Sequence, residues 1–152
     1  MPVSQSYEPA PKADDVTIGY EEYQIHEMVQ DAMDAWNRHD VGAFIRVYAE
    51  DADLTTVTGT TVRGPEAIHD HHAQIFETIF KKSHITAGEI KVRFLSSDIA
   101  SVDVRWEMTG ALEWDGKVIP IRRGLLNWLV TRQGDRWLVT VMHNQEFTPL
   151  KY

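Results

Sequence analysis

Over residues 90–94 and again over 100–108 the apolar residues fall on every second position. Ile90, Val92 and Phe94 alternate with Glu89, Lys91 and Arg93; Ala100, Val102, Val104, Trp106 and Met108 then alternate with Ser101, Asp103, Arg105 and Glu107. This spacing marks strands that keep one face in a core and turn the other outward. Ser96-Ser97-Asp98, Asp115-Gly116 and Gln133-Gly134-Asp135 break the alternation with turn residues, so consecutive strands are joined as hairpins. A third long strand is expected from about Lys117 to Arg132, and the last carries Trp137, Val139, Val141 and His143 on one face. Such strands pair antiparallel and need a partner layer for their apolar side.

The first half of the chain supplies that layer. From Tyr20 to about Arg38 the residues Ile25, Met28, Val29, Ala32, Met33 and Trp36 recur at helical steps. Asp40 is placed to cap a short second helix with the stripe Val41, Phe44, Ile45 and Tyr48. "DLTTVTGTTVRG" reads as a short strand, a turn and an extended segment. Pro65, directly after Gly64, opens a third helix running to about Phe80, with Ile68, His72, Ile75, Phe76 and Ile79 on its buried face. The fold class expected is α+β: a curved antiparallel sheet with helices on one side. Residues 20–148 are expected to form one domain, between a flexible N-terminal tail, 1–19, and a short C-terminal tail, 149–152.

Charge and composition remove several functions. The formal charge is −8, and the 15 Lys and Arg residues form no long run, so nucleic acid is not an expected partner. No apolar stretch approaches the roughly 18 residues of a membrane span, and residues 1–15 lack the apolar core of a signal peptide. The chain has no cysteine, which removes disulfide and thiolate chemistry and fits a cytoplasmic setting.

The segment "AWNRHDVGAFIRVYAEDADLTTVTGTTVRGPEAI" resembles the opening of nuclear transport factor 2-like, or ketosteroid isomerase-like, domains, and the order of elements matches over roughly residues 20–148. Trp36, His72 with Phe76, "VRFLSSDIASVDVRWEMTG" and His143-Asn144 resemble most the SgcJ/EcaC family, related to the SnoaL-like proteins and associated with antibiotic and enediyne biosynthetic clusters. The resemblance implies a cone: a bent sheet around three N-terminal helices, an apolar pocket open at one end, and a homodimer through the outer sheet face. Fold alone leaves function open, because this superfold hosts isomerases, dehydratases, cyclases, epoxide hydrolases and binding modules.

Candidate site residues follow from the pattern and the resemblance together. The ketosteroid isomerase pattern has a carboxylate base on the first strand. Here Thr55 and Thr56 stand near that position, and no carboxylate follows Asp53 until Glu66. Asp53 is either an inward substitute base or a local hydrogen-bonding residue. Asp103 and Arg105 alternate with the apolar face and are expected to point outward. The stretch "IHDHH", residues 68–72, raises the question of a metal. Helical geometry separates its histidines, no second ligand cluster exists, and neither metal nor cofactor is expected. His72 alone shares the buried face with Ile68 and Phe76, while His69, Asp70 and His71 fall on the solvated side or its border. His72 is therefore the candidate general acid–base, with His143 as its partner. Trp36, Tyr48, Phe76, Trp106, Trp128 and Asn144 are candidate ligand contacts, and Arg122 is expected at the rim. The expected ligand is a hydrophobic small molecule, polyketide- or polyene-like. Its fate is cofactor-independent isomerisation, cyclisation or dehydration, or else simple binding by an accessory protein; an interaction module of the same fold is the third alternative.

Overall fold

The computed structural model describes residues 15–148, so the expected tail as far as residue 14 and the C-terminal residues 149–152 lie outside the described residues. The elements run α1 (Asp15–Asn37), α2 (Val41–Ile45), β1 (Tyr48–Thr55), β2 (Thr61–Arg63), α3 (Pro65–Glu77), β3 (His84–Ser96), β4 (Ile99–Thr109), β5 (Arg122–Gln133) and β6 (Arg136–Glu146). Helix α1 thus begins five residues before the Tyr20 start read from the periodicity. It buries Ile25, Val29, Ala32, Met33 and Ala35. Asp40 caps α2 by accepting the Ala43 N–H at 3.0 Å, as its position predicts. Tyr48 is not part of that helix: the chain leaves it after Ile45 and Tyr48 opens β1. At Gly64, with φ +81°, the chain turns from β2 into α3, a conformation that favours glycine.

All six strands join one curved sheet in the order β2-β1-β6-β5-β4-β3. Every hairpin pair is antiparallel, whereas β1 runs parallel to β6. That pairing sets the second-half hairpins beside the first-half strand and closes the sheet around the helices. Strand β5 starts at Arg122 rather than Lys117; residues 110–121 form a loop with a lone bridge, Leu112 to Val118. The core lies between α1 and the concave sheet face, where Ile25, Val29, Leu54, Val102, Val104, Val130 and Val139 are at most 1% exposed. Each such side chain stabilises the fold by about 1.5–3 kcal/mol relative to an exposed one. Asp103 and Arg105 sit on the opposite, convex face, where the Asp103 carboxylate accepts from Asn127 Nδ2 at 2.7 Å.

One irregularity decides which residues face inward. Along the β5–β6 ladder Leu129 pairs with Val141, but Val130 pairs with Val139, so Thr140 is an extra residue. This β-bulge shifts the alternation by one position. Trp137 and Val139 point inward before it; Met142 and Asn144 do so after it.

Candidate functional site

The helices and the concave sheet face leave a cavity of about 970 Å³, open at the end bordered by the β1–β2 turn and the β4–β5 loop. Trp36, Phe44, Tyr48, Leu54, Ile85, Trp106, Met108, Leu126, Trp128 and Met142 make its wall largely apolar. A space of this size and character suits a small organic molecule.

His72 enters from α3 and is 4% exposed. Its Nδ1 lies 2.7 Å from the Ile68 carbonyl oxygen. A carbonyl only accepts, so Nδ1 carries the proton and Nε2 holds the free lone pair. The ring is held among Phe44, 4.5 Å away between centroids, and Trp36 and Phe76, both at 6.0 Å. Burial pushes its pKa down to about 4; the Ile68 hydrogen bond opposes that shift and neighbouring His71 adds slightly to it. No carboxylate lies within ion-pair distance of this ring among the described residues. His72 is therefore a neutral imidazole at neutral pH, oriented by the backbone of its own helix.

The wall residues are fixed just as specifically. Trp36 donates its Nε1–H to Ser83 Oγ at 3.0 Å, and Ser83 donates onward to the Phe80 carbonyl at 2.8 Å. The neighbouring Asn37 side chain bonds both backbone groups of Ile85, at 2.8 and 2.7 Å, tying the end of α1 to β3. Trp106 faces Gly124 on β5, and its indole crosses that glycine to donate to Asn144 Oδ1 at 2.8 Å. A Cβ at Gly124 would overlap the Trp106 ring and the Gln145 carbonyl oxygen, so the crossing requires glycine. With its oxygen taken, Asn144 keeps its amide donors for the cavity. Tyr48 is buried, and that burial raises its phenol well above the ordinary value, which keeps it protonated and able to donate. Trp128 lines the cavity, and its Nε1 has no partner among the described residues.

Two expected site residues lie elsewhere. His143 is exposed on the convex face and does not line the cavity, because the Thr140 bulge reverses the alternation that aimed it inward. It therefore cannot partner His72 in this fold. Phe76 is buried but sits behind the wall, edge-on to Trp36 at 4.8 Å, where it supports that indole rather than meeting a ligand. Asp53 pairs across the strand with Arg63 at 3.3 Å and faces away from the cavity.

Other residues join the site unexpectedly. His71 lines the cavity, with its ring centroid 5.2 Å from that of His72 and its pKa lowered by burial. Its place three residues after Ile68 and four before Ile75 is a signal the sequence already carried. Arg122 is 12% exposed and paired with Glu146, more deeply set than a rim position. His69 and Asp70 pair with each other on the surface at 3.2 Å. No group of three or more His, Cys, Asp or Glu side chains converges as a metal site among the described residues.

A family model described as a SnoaL-like domain matches residues 29–142. The chain belongs to the SnoaL-like domain family. Solved structures repeat this SnoaL-like fold. An uncharacterised protein with a cystatin-like fold from Caulobacter vibrioides is 24% identical, with a TM-score of 0.79, covering 86% of this chain and 92% of that one. A hexachlorocyclohexane dehydrochlorinase, LinA-type3 from Novosphingobium barchaimii LL02, is 17% identical with a TM-score of 0.79, covering 90% and 94%. A candidate scytalone dehydratase from Novosphingobium aromaticivorans DSM 12444 is 16% identical with a TM-score of 0.77, covering 91% of each chain. None of the curated proteins matches this SnoaL-like chain. At these identities the neighbours establish the fold alone. No helix among the described residues is long and apolar enough to cross a membrane.

Proposed function

We propose that this SnoaL-like protein binds a hydrophobic, polyketide- or polyene-like molecule in the cavity and moves a proton on it without a cofactor. The observation that carries this reading is the bare Nε2 of His72 in an open apolar space of about 970 Å³. A base with a pKa of about 4 is weak, so it removes protons only from an acidified carbon, such as one next to a carbonyl. The electron pair then moves onto the carbonyl oxygen, where the Asn144 amide and the Tyr48 hydroxyl are the available donors. Returning the proton to another carbon completes an isomerisation; giving it to a departing hydroxyl completes a dehydration; attack of the enolate carbon on a second carbonyl, whose oxygen then takes the proton from His72, completes a cyclisation. Two fold neighbours named as a dehydrochlorinase and a candidate dehydratase support the elimination route. The open cavity speaks against a pure interaction module.

One observation favours the alternative, a binding or accessory protein. His72 has a carbonyl rather than a carboxylate on Nδ1, so no anionic partner raises its basicity. Mass spectrometry of a ligand retained through purification, followed by turnover assays on it, separates the two. Catalysis predicts that His72→Gln loses turnover by about 10²-fold or more while still binding. A retained ligand left unchanged by wild type and bound equally by His72→Gln means an accessory protein. Membership of the SgcJ/EcaC branch, a cytoplasmic location and a homodimer through the convex sheet face belong to the same proposal. The half-buried Leu125, Leu129 and Val141 on that face support the dimer.

A further inference from the structure

Arg122 and Glu146 form a two-pronged pair at the cavity wall. Nε donates to one carboxylate oxygen at 2.7 Å and Nη2 to the other at 3.1 Å. The guanidinium carbon lies 5.5 Å from the Phe80 ring centre and 5.6 Å from that of Trp106, which strips it of most water. Its Nη1 meets only Met108 Sδ, at 3.7 Å, a weak acceptor. A guanidinium so placed would draw an anionic ligand into the cavity if it were free. It is not free, because Glu146 already occupies its fork. The other carboxylates of the lining, Glu113 and Asp115, add only negative charge. An anionic ligand would have to displace Glu146 or sit beside it, putting two negative charges on one cation whose side chain is only 12% exposed.

We propose that Glu146 sets the ligand class of the cavity: by engaging Arg122 it restricts entry to neutral apolar molecules and turns away carboxylates and sulfonates. This rests on the cavity being a small-molecule site. Phenylnaphthylamine and anilinonaphthalene sulfonate test it, because they share one ring skeleton and differ by a sulfonate. Their fluorescence on binding, with mutual displacement to confirm a common site, gives the two affinities. The full chain is expected to prefer the neutral dye by about tenfold or more. Glu146→Gln is expected to strengthen sulfonate binding about tenfold and leave the neutral dye unchanged. That gain should vanish in Arg122→Met/Glu146→Gln. Glu107→Gln removes the same charge from a convex-face pair with Arg123 and is expected to leave the ratio where it was. Equal shifts in Glu146→Gln and Glu107→Gln, or a wild type that prefers the sulfonate, would overturn the proposal. A wild type that binds the neutral dye, with no gain in sulfonate binding in Glu146→Gln, sinks the proposal alone; a wild type that binds neither dye sinks the small-molecule reading with it.

Discussion

At the residue scale, His72 links burial to both stability and chemistry. Folded, it stays neutral down to about pH 4; unfolded, a histidine protonates near 6.5. The unfolded chain therefore takes up this proton first on acidification. The His72 contribution is fully present above about pH 6.5 and is lost as pH falls toward 4, by about 3 kcal/mol in all. Urea unfolding of wild type and His72→Gln across that window should give curves that converge as pH falls. Parallel curves would mean that another group carries the dependence. Gly124 offers a second check. Gly124→Ala pushes a methyl into the Trp106 ring and the Gln145 backbone, with an expected cost of about 1–3 kcal/mol. The same change should disturb Trp106 fluorescence, since the indole loses its path to Asn144. His72 was legible in the sequence because two successive helix turns, Ile68 to His72 and His72 to Phe76, fix its direction.

At the scale of elements, the error at His143 has one cause. Alternation is counted from a fixed start, and an unpaired residue resets the count without changing composition. Nothing in "RWLVTVMHNQEF" marks Thr140 as that residue; only its pairing partners on β5 reveal it. Inserting one alanine after Thr140 should shift the alternation by one further position, carrying Met142 and Asn144 outward and His143 inward. The variant is expected to be destabilised by loss of the buried Met142 and of the Trp106–Asn144 hydrogen bond. Thermal unfolding measures the loss, and a variant as stable as wild type would contradict the role given to the bulge. The start of β5 was misread for a related reason. Val118, Ile119 and Ile121 are β-branched like strand residues, yet only the Leu112–Val118 bridge pairs there. By contrast, the α3 start and the Asp40 cap were readable, since both depend on neighbours in sequence, whereas α3 ends at Glu77 rather than near Phe80.

For the whole molecule, the layer order followed from the change of hydrophobic period, but two features did not. The parallel β1–β6 pairing and the depth of Arg122 arise from contacts distant in sequence. Assembly is a property at this scale too. Leu129→Glu sets a charge on the half-buried convex face and is expected to turn the proposed dimer into a monomer, read by light scattering with the fold retained by circular dichroism; a wild type that is already a monomer would contradict the assembly. The central claim joins cavity and base: the space is a ligand site, and the His72 lone pair faces it. Imidazole ¹⁵N NMR of the full chain, with and without phenylnaphthylamine, tests both parts at once. The expected result is a His72 ring protonated on Nδ1 and bare on Nε2 at neutral pH, with the Nε2 resonance moving when the dye enters. A ring protonated on Nε2, titrating near its ordinary value of about 6.5 and indifferent to the dye, would contradict it.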